Sequence, residues 1–290
     1  MGRTHLRALE GSTSVAVTAV VEPVATTRDA IAGMGMAVFE DVSITAPSDR
    51  HVEIVTQVAA AGLPILCEKP CGRSTAEIVV AEHAVERDGI PFQVAYWRRY
   101  VPALQELRQR IEAGELGEVH LLASFQWDEH PPSPAFRAHS GGIFIDMGVH
   151  EFDQIRWLSG QEFGDLDAVS SPVGEAGDIG DDVDSAQALG TLSGGTSAFV
   201  SLGRFFPGGD MARIEVFGTA DAVRCDFLDP KDGDRAQLEA LVRQAEGFAA
   251  FARGGARTGA SIRDAAAALA AAERAASAIA LVPAAAGPRS

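Results

Sequence analysis

The sequence predicts an α/β protein: a parallel sheet in the first hundred residues, then an α+β region built on a mainly antiparallel sheet. Three observations predict it. Short apolar runs alternate with helix-spaced segments as far as residue 96, the pattern of parallel strands joined by crossover helices. The rhythm changes after Arg98-Arg99-Tyr100. Between Asp165 and Asp226 the pattern becomes a series of strands with short turns, which suits antiparallel neighbours. At 290 residues the chain has room for two domains.

Taken in order, Gly2 opens a helical segment, RTHLRAL. Val15 to Val21 is apolar and β-branched, the signature of a buried strand. Thr26 to Met34 reads as a helix, and Val42 to Ala46 as a strand ended by Pro47-Ser48-Asp49. Asp49 to Ala61 carries apolar residues at helical spacing until Gly62 stops it. Pro64 to Cys67 is a third strand, followed by Glu68-Lys69-Pro70. Ser74 to Arg87 is a helix, with Ser74 and Glu77 in capping-box spacing. Pro91 to Ala95 is a fourth strand.

Beyond the change of rhythm, Pro102 to Ala113 is a helix and Val119 to Trp127 a long strand. A Pro-rich loop leads to Gly141-Gly142 and a helix over Ile143 to Leu158. Strands follow at Ala168 to Val173, Ser185 to Leu192, Thr196 to Gly203 and Ala212 to Phe217. Gln237 to Arg253 and the Ala-rich Ser261 to Ile279 are helices.

Composition narrows the function. The net charge of −16 argues against nucleic acid and anionic membranes as partners. No stretch approaches the ~20 apolar residues of a membrane span. The N-terminus shows no basic-then-apolar leader, so a cytoplasmic location is expected. Three cysteines and no CxxC pair fit a reducing compartment. Of 24 basic residues only Lys69 and Lys231 are lysines. An ammonium is a compact donor whose pKa can move, whereas a guanidinium stays charged. Lys231 lies in a turn sequence, Asp229-Pro-Lys-Asp-Gly, and is expected on the surface.

Three constellations could carry chemistry. The first is Gly141-Gly142-x-x-x-Asp146-x-Gly148-x-His150-x-x-Asp153. Residues four apart share a helix face, and a carboxylate beside an imidazole raises its basicity. The alternative is a helix start with a satisfied His–Asp pair. The second is Lys69, placed after a buried strand. In an open parallel sheet the strand C-termini border the ligand crevice. The alternative is a surface lysine paired with Glu68. The third pairs Gly2 with Glu22, an acid twenty residues on that ends the next strand and suits a dinucleotide ribose. The glycine-rich turn that normally precedes such a helix is absent from the sequence. His51 draws attention because it follows the strand end at Ala46-Pro47-Ser48. Trp127 draws attention because it flanks a candidate segment. Asp128, Glu129, His130, His139, Asp146, His150 and Glu151 crowd one region, but without HExxH spacing, so no metal is expected.

Together these segments resemble the Gfo/Idh/MocA family of NAD(P)-dependent sugar and polyol dehydrogenases. The matching stretches are ITAPSDRHVEIV, ILCEKP, QVAYWRRYVPAL, GELGEVHLL and GGIFIDMGVHEFDQIRWLSG. VAYWRRY and DMGVHEFD are similar above all to the inositol dehydrogenases of that family. The resemblance implies a Rossmann-type domain over residues 1–96. It implies a substrate and oligomerisation domain over 97–290, with an open antiparallel sheet and a final helix returning to the first domain. It implies Lys69, Asp146 and His150 as catalytic residues. It implies cofactor contacts at Gly2, Glu22, Ala46, Pro47, Ser48, His51, Glu68 and Lys69, and substrate contacts at Arg98, Trp127, Asp146 and His150. Glu22 would repel the 2′-phosphate of NADP, so NAD is the expected cofactor. A cyclic polyol or sugar is the expected substrate, and a homodimer or homotetramer the expected assembly.

Two departures are expected to matter. Met1-Gly2-Arg3-Thr4-His5 resembles the end of the family's GxGxxG motif, as though its first strand and first two glycines were missing. The run from Ala37 to Thr45 passes straight to the family's fourth strand, where another helix is usual. The first sheet is therefore expected to be incomplete. The alternatives that follow are a non-catalytic sugar- or nucleotide-sensing relative, or a dehydrogenase that has lost activity by truncation. A metal-assisted hydrolase using the His130 to His150 region is a third.

Overall fold

The computed structural model describes residues 2–21, 37–39, 50–171 and 182–281. They form two compact units: the described residues of Met1–Tyr100 with Gln237–Ala265, and those of Val101–Ala236 with Ala266–Ser290. The α/β class predicted from the sequence holds, with small parallel sheets in the first unit and a mixed, mostly antiparallel sheet in the second.

The first unit opens with helix α1 (Gly2–Leu9). Strands β1 (Ala19–Val21) and β2 (Ala37–Phe39) pair in parallel, Ala19 opposite Ala37. The predicted strand from Val15 thus shortens to its last three residues, and Ala37–Phe39 is a strand the sequence reading did not single out. The predicted helix at 26–34 and strand at 42–46 lie outside the described residues. Helix α2 (His51–Ala60) buries His51, Ile54, Val55 and Ala59. Strands β3 (Ile65–Cys67) and β4 (Phe92–Val94) form a second parallel pair.

Between them, helix α3 (Thr75–Asp88) buries Ile78, Ala81, Ala84 and Val85. Ser74 Oγ accepts the Glu77 N–H at 3.2 Å, the expected cap. The reciprocal half of the box is displaced: Glu77 reaches the N–H of Arg73 at 2.7 Å. Most of helix α7 (Arg235–Ala252) and the start of α8 (Ile262–Ser277) belong to this unit, and the segment that joins them is tied to β4 by a polar knot. Gln93, fully buried, donates to the Tyr100 hydroxyl at 2.9 Å and accepts from Gly259 N–H at 3.2 Å. A Cβ at residue 259 would stand 2.3 Å from the Gln93 amide, so only glycine fits there. Val94 N–H bonds Ala260 O, and Arg263 at the start of α8 bridges Glu82 and Glu86 of α3.

The second unit is a seven-stranded sheet in the order β10-β9-β5-β8-β7-β6-β11. The strands are β5 (Val119–Trp127), β6 (Phe163–Ser170), β7 (Ser185–Leu192), β8 (Ser197–Gly203), β9 (Met211–Gly218), β10 (Ala222–Leu228) and β11 (Ile279–Leu281). The β5–β8 and β6–β11 pairs are parallel, the rest antiparallel. Strands β10 and β11 were not predicted, and β6 starts five residues before its predicted Ala168 start.

Alternation sorts the two faces. Leu122, Ser124, Ala198, Val200, Leu202, Ala212, Ile214 and Val216 are buried on one. The short helix α5 (Pro134–Arg137) precedes helix α6 (Val149–Ser159), which covers that face with Gln154 donating to Ser124. Helix α4 (Pro102–Glu112) packs beside α6, and Phe152 of α6 stacks edge-on against Phe163 at 5.1 Å. The opposite face carries Phe125, Phe199, Val169, Leu189 and Phe217, the last three exposed.

Candidate active site

The Lys69 loop is built at the end of β3. Glu68, Lys69 and Pro70 follow Cys67, and the Lys69–Pro70 peptide is cis. Two helices hold this loop by their first turns. From α1, His5 Nε2 hydrogen-bonds the buried Glu68 carboxylate. From α2, His51 Nδ1 lies 2.8 Å from Pro70 O. A carbonyl only accepts, so His51 carries its proton on Nδ1. The other Glu68 oxygen accepts the Lys69 backbone N–H at 3.2 Å. Glu68 therefore shapes the backbone under Lys69 through the Lys69 peptide N–H.

Cys67 and Cys71 flank this loop and are buried. Hydrogen bonding with Cys71, then burial, hold the Cys67 thiol well above its usual range. It stays protonated, and an un-ionised buried thiol is inert. Arg98 sits in a buried 3₁₀ turn, Trp97–Tyr100, with its guanidinium 6.0 Å from the Trp97 ring centroid. Of the other predicted cofactor contacts, Gly2 is the first residue of α1. Glu22, Ala46, Pro47 and Ser48 lie outside the described residues.

In the second unit, Asp146 and His150 stand at the head of α6. The predicted helix is continuous in sequence but starts as a π-helical turn, Phe144–Gly148, before becoming α-helical at Val149. Such π segments occur frequently at functional sites. The glycines of this motif have separate reasons. Gly141 and Gly142 adopt positive φ, 85° and 86°. A Cβ on Gly148 would press on Leu202 at 3.1 Å, so glycine lets the helix start sit directly on β8. His150 is buried, as are its neighbours Glu151, Asp153 and Gln154.

Asp146 ends a line of alternating charges. Its Oδ2 accepts from Arg204 Nη1 at 2.9 Å. Arg204 Nη2 donates to Asp182 at 3.2 Å. Asp182 also accepts from Arg137 Nε at 2.6 Å, and Arg137 Nη2 donates to Asp184 at 2.9 Å. The Arg204 and Asp182 side chains are fully buried. Buried charges of this kind hold only while each partner is present. Asp128 lies close to this group. Burial pushes its carboxyl above the usual range, against the opposing influence of Gln126 and Arg204.

The sequence analysis missed Arg204, Arg137 and Asp182. The available signal was an arginine set between a core strand and Phe205-Phe206. Trp127 lies elsewhere. It shares the alternation of Phe125, lies against Gly203 and donates to Ser201 Oγ at 3.2 Å. That is the sheet face opposite α6, so the structure does not bring it to the Asp146–His150 helix. Lys231 is exposed in its turn, as expected. Among the described residues no group of three or more His, Cys, Asp or Glu side chains is placed to hold a metal ion. Nor is any described helix long and apolar enough to cross a membrane.

Comparison with known proteins completes the picture. The pattern of the GFO/IDH/MocA C-terminal domain matches residues 104–224. The scyllo-inositol 2-dehydrogenase (NAD(+)) of Bacillus subtilis is 33% identical over 64% of this chain and 54% of its own length. A crystal structure from Sinorhizobium meliloti 1021, of a protein assigned as a myo-inositol dehydrogenase, superposes with a TM-score of 0.87. It shares 29% identity over 96% of this chain and 93% of its own. The rhizopine catabolism protein MocA of Rhizobium meliloti is 47% identical over 287 residues, 95% of this chain and 90% of that protein. With a likeness that runs almost end to end, and with the family's C-terminal domain in place, the chain belongs to the Gfo/Idh/MocA family.

Proposed function

We propose that this protein is an NAD-dependent dehydrogenase that oxidises a secondary hydroxyl of an inositol-like cyclic polyol or a sugar. The observation that carries the reading is the Asp146–His150 helix start, its aspartate clamped by a buried arginine, in a chain that also keeps Lys69 after a parallel strand.

The first unit is the cofactor-binding domain in this reading, and its described residues fit part of a dinucleotide site. The contacts His5–Glu68 and His51–Pro70 draw the first turns of α1 and α2 onto the loop after β3. Helix N-termini favour phosphate, and parallel-strand C-termini border the crevice. Gly2, His51, Glu68 and Lys69 would hold the cofactor there, with Ala46, Pro47 and Ser48 beside them. Glu22 would take the ribose hydroxyls and disfavour NADP. NAD, when bound, supplies the acceptor for a hydride.

The chain's own residues handle the proton. His150 takes the proton of the substrate hydroxyl as general base. Lys69 donates a hydrogen bond to that oxygen as negative charge develops on it. Asp146 orients the substrate and His150, and Arg98 adds a substrate contact. A cytoplasmic setting suits three cysteines that are all free.

The reading is tested by titration calorimetry of the chain with NAD and NADP, followed by initial rates on myo-inositol and a panel of cyclic polyols and sugars. NAD binding tighter than NADP, with reduction by at least one polyol, is the expected result. Absence of NAD binding would overturn it in favour of a non-catalytic sensor.

The open sheet face is the proposed surface for a homodimer or homotetramer. Val169, Leu189 and Phe217 leave it with large exposed apolar groups, as at protein interfaces. Leu189, 56% exposed, can take a charge without disturbing the covered face. Leu189→Glu is expected to lower the mass measured by light scattering to that of a monomer. A wild-type monomer, or an unchanged mass in the variant, would contradict this.

A further inference from the structure

We propose that Arg204 is a positioning residue for this reaction, whose buried guanidinium, anchored on Asp182, holds the Asp146 carboxylate in one orientation. The inference rests on the reading of Asp146 as a site residue. Three features of the clamp support it.

The first is geometry. Arg204 places one Nη on each of two carboxylates, Asp146 and Asp182. A planar guanidinium spans two such acceptors with fixed directions, which a lysine ammonium cannot do. The prevalence of arginine in this chain therefore does not account for the choice; the divergent pair of carboxylates does. The second is burial. The Arg204 side chain is 0% exposed, and so is that of Asp182, while Asp146 at the end of the line is 14% exposed. The rigid part of the network lies inside and its accessible end is the aspartate. The third is the backing. Arg137 donates to the Asp182 carboxylate and also to Asp184, so the carboxylate that anchors Arg204 is itself held in place.

Several charged groups surround Asp146 and its clamp among the described residues. Arg204 approaches from the end of β8 and Asp128 from the end of β5, with Asp210 acting on Asp128. His150 lies on the same helix, and Asp182, Arg137 and Asp184 stand behind Arg204.

The test compares the full wild-type chain with Arg204→Lys, which keeps the charge but not the fork, by steady-state polyol oxidation, NAD titration calorimetry and crystallography. In Arg204→Lys the Asp146 carboxylate is expected to leave its wild-type rotamer, and kcat to fall roughly tenfold to a hundredfold, the scale of a misplaced catalytic group, with NAD affinity unchanged. An Asp146 side chain in its wild-type orientation, or a kcat within a few-fold of wild type, overturns the proposal. Should that variant fail to fold, the same comparison in Asp182→Asn, which loosens the anchor of Arg204, decides instead. Should the wild type oxidise no polyol, the functional reading fails, while the crystal structure still decides whether Arg204 orients Asp146.

Discussion

Replacing His150 with asparagine is expected to lower kcat about 10²- to 10⁴-fold, the range of a lost general base, with NAD affinity unchanged. The imidazole is 7% exposed at the head of α6, next to residues that are more deeply buried still. Asparagine is polar, smaller and uncharged, so the helix start and its packing on Leu202 survive. The loss should therefore fall on kcat rather than on the melting temperature. The residual rate should rise with pH, because solvent hydroxide takes over the proton. Steady-state rates from pH 6 to 10, read beside thermal melts, check this. A kcat within a few-fold of wild type would remove His150 from the mechanism.

Lys69→Met is expected to cost about 10²- to 10³-fold in kcat, the scale of one lost donor to a developing oxyanion. Methionine keeps the length of the stem and removes the ammonium. The loop should keep its shape, because Glu68 holds residue 69 by its backbone N–H and holds α1 through His5. Lys231→Met is the internal control. That lysine engages Asp229 through its backbone N–H in an exposed turn, so its side chain can be changed without effect. Equal rates for the two variants would show that Lys69 is only a surface cation.

Much of this architecture was legible because periodicity tracks burial. Val119–Trp127 and Ser185–Leu192 appear at their predicted bounds, since both are runs without Asp, Glu, Lys or Arg. Ala222–Leu228 escaped notice for the opposite reason. Arg224 and Asp226 sit within it, and pairing with β9 rather than an apolar face makes it a strand. Ile279–Leu281 is three residues long after an Ala-rich helix and exists by pairing with β6. No local signal marks either.

The candidate site divides in the same way. Asp146 and His150 could be placed together at one helix start from their spacing. Arg204 could not, since its two carboxylates lie 58 and 22 residues away in sequence and only the sheet brings them together. The π-helical turn at Phe144–Gly148 was equally hidden, because its sequence pattern is that of an ordinary helix. Trp127 was legible in principle. Its parity with Phe125, and against Leu122 and Ser124, already assigns it to the uncovered face. In LLASFQW, however, large apolar residues occur at both parities, and the alternation is blurred.

The central claim is hydride transfer from a polyol carbon, and one measurement tests it most directly. The chain would be incubated with NAD and myo-inositol deuterated at every ring carbon, and the reduced cofactor analysed by mass spectrometry and proton NMR. The account predicts NADH carrying one deuterium on one face of the nicotinamide ring, formed more slowly than from unlabelled inositol. The same experiment would be repeated across labelled cyclic polyols and sugars. Reduced cofactor without deuterium, or no reduced cofactor with any of them, would contradict it.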